Sequence, residues 1–269
     1  MRRTLLSAFA ALAIATGVSA QTHDQHGDAS GDKPWSQADA YFDPAEMDAA
    51  RAHAQSHSGD TPFAMIRFDR LEAQSFDGET VGVWDADAWY GGDINKVWLK
   101  TEGEYSFEES DLEEAEVQLL WSRAISRYFD LQTGVRYDFE PDGLAHAVLG
   151  VQGLAPYWFE VDGAAFLSEK GDLTASFEAE YDLLLTNRLI LQPRLAAGLS
   201  AQDIPERALG SGLTKLQAGL RLRYEFVREF APYIGVEHSA SFGRTADLIE
   251  AAGGEADETR FVIGIRTWY

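Results

Sequence analysis

From Thr61-Pro62 onward, apolar and polar side chains alternate with a period of two, and Gly, Pro, Asn, Asp and Ser cut the alternation at intervals. That period belongs to a β-strand, whose successive residues point to opposite faces. About twelve such segments follow one another to Tyr269, each near the roughly 9–11 residues with which a tilted strand crosses a bilayer. The predicted fold is therefore all-β, a transmembrane antiparallel β-barrel of about twelve strands over residues 62–269. In the last segment Phe261, Ile263, Ile265 and Tyr269 share a face opposite Arg266. A strand that apolar on one face is expected to close the sheet against the first strand and to meet lipid, since an uncovered edge invites aggregation. An even number of strands puts both ends of the barrel in the periplasm, so that odd connections run outside and even ones are short turns. The two widest gaps, at 203–212 and 243–258, are the ninth and eleventh connections. The even ones, around Gly91-Gly92-Asp93, Ser126-Arg127, Ala155-Pro156, Thr186-Asn187 and Arg228-Glu229, are tight.

The stretch before the barrel has a different character. Arg2 and Arg3 precede an apolar run from Leu5 to Val18, and Val18-Ser19-Ala20 offers the small residues a signal peptidase reads, so residues 1–20 are expected to be a signal peptide. The run is too short to span a membrane as a helix. Residues 21–61 are rich in Asp, Ser, Gly, Gln and Ala and hold His23, His26, His53 and His57, four of the six histidines. They are expected to form a flexible periplasmic extension. Within it, Asp43-Pro44-Ala45-Glu46 supplies an N-cap, a proline at the first helical position and an early acid, which predicts a short helix over 44–54.

Charge narrows the function. Two of the 22 basic residues lie in the leader, which leaves 20 against 44 acids and a formal charge of −24 for the exported chain. A nucleic-acid partner is excluded, because phosphate binding needs a basic face. With no cysteine, disulfides and thiolate metal sites are excluded as well. The charges also fall in a pattern. Lys96, Lys100, Glu102 and Glu104 share a face with Trp98, Glu114 and Glu116 with Gln118, and Asp130, Arg136 and Asp138 with Gln132. Glu178, Glu180 and Asp182 share another, as do Lys215, Gln217, Arg221, Arg223 and Glu225, while the opposite faces read Val117-Leu119-Trp121 and Leu216-Ala218-Leu220-Leu222-Tyr224 when every second residue is taken. The charged faces are assigned to the lumen. Two readings stay open there: acids and bases pair to fill a narrow barrel, or the surplus acids form a path for cations.

Several strings resemble the copper-resistance protein B family. Among them are Trp89-Tyr90-Gly91-Gly92-Asp93, Val97-Trp98-Leu99-Lys100-Thr101-Glu102-Gly103-Glu104, Gly150-Val151-Gln152-Gly153-Leu154-Ala155-Pro156-Tyr157-Trp158-Phe159 and Arg228-Glu229-Phe230-Ala231-Pro232-Tyr233. The likeness runs in order through the whole barrel. It implies an outer-membrane protein of a Gram-negative bacterium that contributes to copper resistance and homeostasis by binding or exporting copper, with a periplasmic copper oxidase or copper carrier as a plausible partner. Members often carry Met- and His-rich repeats in the periplasmic extension. Here only Met47 and Met65 follow the leader, so soft thioether sites for Cu(I) are sparse.

Candidate copper ligands can be named from the residues. Cleavage after Ala20 would leave Gln21-Thr22-His23, whose terminal amine, two backbone amides and His23 imidazole offer four nitrogens in a plane, a geometry suited to Cu(II) or Ni(II). His53 and His57 lie four apart and would share a helix face, or else are simply solvated. Together with His26 they could form a weak multidentate trap, which loses metal as imidazoles protonate below about pH 6.5. Met65 and His146 fall on lumen faces and His238 faces outward. Neither His146 nor His238 has a hydroxyl nucleophile at the two-residue spacing that shares a strand face, so no hydrolase is expected. The rival reading is a general outer-membrane pore or structural barrel without metal specificity. The acidic loops Glu108-Glu109-Ser110-Asp111 and Glu255-Ala256-Asp257-Glu258 would face lipopolysaccharide, either as a solubilising surface or through shared divalent cations.

Overall fold

The structure, a computed structural model, describes residues 37–58, 61–141 and 143–269. It divides after His57 into two units. The first contains helix α1 (Pro44–Ser58). Its start follows the expected chemistry, with Asp43 Oδ1 accepting from the amides of Ala45 at 2.8 Å and Glu46 at 3.2 Å. The helix runs about a turn past the predicted end.

The second unit is a closed antiparallel barrel. Its strands are β1 (Phe63–Phe76), β2 (Glu79–Gly91), β3 (Asn95–Ser106), β4 (Asp111–Ala124), β5 (Phe129–Glu140), β6 (Leu144–Ala155), β7 (Phe159–Ser168), β8 (Leu173–Glu180), β9 (Leu183–Leu184), β10 (Leu189–Ser200), β11 (Gly212–Tyr224), β12 (Phe230–Ser241) and β13 (Asp257–Trp268). Neighbours in sequence are neighbours in the sheet, and β13 returns to β1 to complete the ring. The thirteenth strand comes from a break, not from an extra crossing. β8 and β9 both pair with β10, and between them Tyr181 donates to the carbonyl of Pro193 at 3.2 Å. Proline has no N–H to return the bond, so the ladder is interrupted there. Twelve crossings remain, as the periodicity predicts.

Closure is made by backbone. Arg67 and Trp268 lie opposite one another, and Ile66 and Tyr269 exchange two hydrogen bonds of 2.9 and 2.8 Å. The two faces of the sheet then separate cleanly: Phe261 and Ile263 are 71% and 62% exposed, while Val262 between them is 4% exposed. The outer face carries a continuous apolar belt that includes Ile66, Leu99, Leu119, Val135, Leu149 and Ile234. Such a belt is covered by hydrocarbon, which makes this a membrane-spanning barrel.

Two features depart from simple alternation. A β-bulge in β1 shifts the register between Phe68 and Arg70 against β2. Met65 and Arg67 before the bulge and Arg70, Glu72 and Gln74 after it therefore all take positions on the lumen side. The connection between β12 and β13 contains a helix, α2 (Gly243–Ala251). By contrast, β1 and β2 are joined by the tight pair Asp77-Gly78, both with positive φ, 46° and 93°, which gives the mirror-image turn that matches strand twist.

Neighbouring strands leave room for a Cβ at some glycines and not at others. A Cβ on Gly134 would lie 2.0 Å from the Leu119 carbonyl oxygen and 2.8 Å from Leu120 Cα, whereas one on Gly163 would meet nothing closer than 3.8 Å. Gly134→Ala is expected to cost about 1–3 kcal/mol in urea unfolding from lipid vesicles, and Gly163→Ala less than about 0.5 kcal/mol.

Candidate functional site

The side chains that strand pairing turns inward form three tiers of charge. At the middle, Arg221 of β11 grips Glu72 of β1 with Nε to Oε1 at 2.6 Å and a second nitrogen to Oε2 at 3.0 Å, and reaches Glu237 of β12 at 2.8 Å. Tyr233 donates its hydroxyl to Glu72 at 2.9 Å and Gln74 its amide at 2.7 Å. Arg194 of β10 pairs with Glu178 and lies 3.5 Å from both Glu180 and Glu237. Arg70 holds Asp85 at 3.1 Å. Each buried carboxylate in this tier meets a guanidinium, the condition under which buried charge is tolerated.

Toward the end of the barrel where β1 begins, Arg67 bridges Asp69 and Asp87, each at 2.8 Å, and Arg266 reaches Asp69 at 2.9 Å. Lys100 of β3 crosses to Asp162 of β7 at 2.7 Å, and Lys96 lies 3.3 Å from Asp130. Trp89 and Trp98 stack beneath these lysines with ring centroids 6.1 Å apart. Each ring carries one ammonium group over its face, Lys96 at 5.8 Å and Lys100 at 5.7 Å. At the opposite end, which bears the long connections, Arg136 lies 2.5 Å from both Glu116 and Asp138, and Arg260 holds Glu104 at 2.5 Å and Glu258 at 2.7 Å.

The pairing is not symmetrical around the ring. Glu102 faces Glu116 and Glu104 faces Glu114 across β3 and β4. Like charges directly opposite one another repel. Arginines concentrate instead on the wall formed by β10, β11, β13 and β1, where Arg67, Arg70, Arg194, Arg221, Arg223 and Arg260 project inward. Between the two walls lies a cavity of about 610 Å³, lined by Asp85, Lys100, Glu102, Glu116, Arg136 and Arg194 among others. The lumen is thus laced with ion pairs and still encloses space, with acids predominating on one wall and arginines concentrated on the other.

Of the expected metal ligands, the two in the barrel, Met65 and His146, lie apart. Gln21, His23 and His26 lie outside the described residues. His53 and His57 occupy positions four apart in α1. Met65 is half-buried on the lumen face of β1 opposite Trp89, near the end where β1 begins. His146 is 5% exposed near the other end, on the lumen face of β6, where its Nε2 lies 3.1 Å from Asp138. Met65 and His146 therefore do not form one site. Among the described residues, no group of three or more His, Cys, Asp and Glu side chains is arranged to hold a metal ion. His238 is exposed, with Nδ1 2.9 Å from Thr259 Oγ1.

The inward-facing residues named from alternation do line the lumen, but others escaped that reading. Arg70 and Glu72 were hidden by the β1 bulge. Arg207, which donates to Asp138 at 2.7 Å, comes from a connection, where strand periodicity says nothing. Its one local signal is Ile204, an apolar residue in a polar loop and only 6% exposed.

These features define a class, a membrane-spanning β-barrel with a charged, ion-paired lumen. The comparisons give the family. The family described as "Copper resistance protein B precursor (CopB)" matches residues 62–269. The Escherichia coli protein named "Copper resistance protein B" is 43% identical over 206 residues, 76% of this chain and 69% of that protein. A "Copper resistance protein B homolog" of Pseudomonas syringae pv. tomato is 38% identical over 266 residues, covering 96% of this chain and 90% of the relative. The chain belongs to the copper resistance protein B family. Among solved structures, the chain is similar to a KdgM porin (11% identity, TM-score 0.42, 76% of this chain and 98% of that one) and to the NanC porin (10%, TM-score 0.48, 76% and 99%).

The central tier gives a stability test. Arg221→Met would strip Glu72 of its guanidinium and leave Glu237 with Arg194 alone, and is expected to lose about 3–5 kcal/mol in urea unfolding from vesicles. A double-mutant cycle with Glu72→Gln should return a coupling of about 1–3 kcal/mol; coupling near zero would mean that the pair does not hold β1 to β11.

Proposed function

We propose that the protein is an outer-membrane copper-binding protein that contributes to copper resistance and homeostasis by binding or exporting copper ions. The observation that carries this reading is the family match over residues 62–269, the same residues that close the barrel. The relatives' names speak of copper resistance. In this reading residues 1–20 direct export, residues 21–61 reach into the periplasm, and the apolar belt of residues 62–269 sits in the outer membrane.

In this reading the copper ligands lie mainly in the N-terminal extension. Gln21 and His23, with His26, His53 and His57, supply the nitrogen donors that suit Cu(II). Met65 and His146 in the barrel would offer at most weak contacts to an ion passing through. The Arg-paired acids of the lumen are already engaged, and displacing a guanidinium from a buried carboxylate is costly.

Purified full-length mature protein is expected to bind Cu(II) saturably by calorimetry. Replacing His23, His26, His53 and His57 together by Asn should weaken binding by about tenfold or more, and Met65→Leu combined with His146→Asn should leave it nearly unchanged. Absence of saturable copper binding, together with a conductance indifferent to copper, would favour a general pore and overturn the proposal.

A further inference from the structure

The connection between β10 and β11, residues 201–211, folds back over the mouth of the barrel. It is a built arm. Ile204 and Leu209 exchange two backbone hydrogen bonds of 2.8 and 3.1 Å. A single 3-10 turn, Pro205–Arg207, lies between them, ended by Ala208 in the left-handed region at φ 52°. Ser211 donates its amide to Asp203 at 2.8 Å, and Ile204 is buried. Gly212 follows at φ 97°, a conformation open to glycine and a natural place for the arm to pivot.

Several contacts hold the arm in place, among them an exposed pair of Asp203 with Arg244 of α2 at 3.5 Å. Gln202 donates to Asp172 at 3.0 Å in the connection before β8. The Gly210 amide donates to Thr245 of α2 at 2.8 Å. Both partners belong to neighbouring connections. The Arg207 contact is different in kind, because it reaches Asp138 at 2.7 Å on β5, four places around the sheet from β10. Among the described residues, this ion pair ties the arm to the far wall.

Asp138 is prepared to receive it. Its side chain is 1% exposed and is held by Arg136 at 2.5 Å and by His146 at 3.1 Å. Both of those partners sit on the rigid wall, so Asp138 keeps its place when Arg207 leaves. The Arg207 side chain, in contrast, is 17% exposed, and water can replace its carboxylate partner at lower cost than for a sealed pair. Arg207, Asp138 and Glu140 also line the internal cavity, which places the pair in its roof.

We propose that the 201–211 arm is a gate at this end of the lumen, latched shut by the Arg207–Asp138 ion pair and opened by its release to admit small hydrated ions to the cavity. The proposal rests on the reading above only in taking the lumen as a path for ions. Fixed closure and fixed opening are both avoided, because one partner is anchored and the other rides on a preformed arm.

The test is conductance of the refolded full chain in planar lipid bilayers in potassium chloride. Arg207→Glu puts a carboxylate against Asp138 and is expected to raise the open probability by about tenfold. Arg244→Ala, which removes only an exposed pair with Asp203, should behave as the parent. The chain contains no cysteine, so Arg207→Cys with Glu140→Cys can be joined selectively by a short bis-methanethiosulfonate reagent, which forms a reducible disulfide with each thiol and releases sulfinate. The unlinked variant should be open, the linked one closed, and reduction should reopen it. Heat-modifiable gel migration checks that each variant is folded. If Arg207→Glu conducts as the parent does, or if linking leaves the current unchanged, the arm is not a gate. If neither parent nor variants conduct, the gate fails and the lumen is no ion path, while copper binding by the extension stands untouched.

Discussion

Hydrocarbon offers no partner for a backbone N–H or C=O, and the rest of this structure follows from that constraint. The sheet must close, and it does so where Ile66 and Tyr269 exchange hydrogen bonds. Closure leaves two faces. With side chains alternating strictly, the apolar half of each strand is turned to lipid and the polar half has nowhere to go but inward. An acidic chain folded this way concentrates its carboxylates in a narrow lumen. The arginines that meet them are therefore part of the architecture: Arg221 joins β11 to β1 and β12 through Glu72 and Glu237, and Lys100 ties β3 across the lumen to β7 through Asp162. The outer belt sets where the barrel sits, and the inner ion pairs set how open it is.

Strand number, closure and the faces of most strands were legible in the sequence, because a period of two is a geometric property of extended backbone and needs no tertiary information. The same rule fails where an extra residue enters. Phe68 and Arg70 straddle a bulge at Asp69, so strict alternation carried through β1 would have turned Arg70, Glu72 and Gln74 toward lipid. The break at Tyr181 depended on which residue lies opposite, and Pro193 could be identified as that residue only once the register was known. The site was less legible. Periodicity placed Met65 and His146 on the lumen face, yet said nothing about their distance along the barrel axis, and they lie near opposite ends. Arg207 was out of reach, since a loop has no period and its partner Asp138 is far away in sequence.

Of the two arrangements that sequence reading left open, the pairing of acids and bases is present, and space remains beside it. The paired charges give the barrel internal struts, and acids predominate on the β2–β8 wall while arginines concentrate on the other, which leaves a polarised cavity between them. On the proposed reading, a cation entering such a space would be drawn to the β2–β8 side, where acids predominate and Glu102 faces Glu116. Retention there is weak without a group of convergent ligands. The division of labour that we propose, ligands in the extension and a guarded passage in the barrel, is consistent with both facts.

The central claim is that this barrel protects its cell from copper. The most direct measurement is growth of a strain lacking the gene across a copper series, with the parent chain restored from a plasmid as the comparison. The account predicts growth arrest at a lower copper concentration in the deletion strain, reversed by the parent chain and absent when zinc or potassium replaces copper. Equal copper tolerance with and without the gene would contradict it.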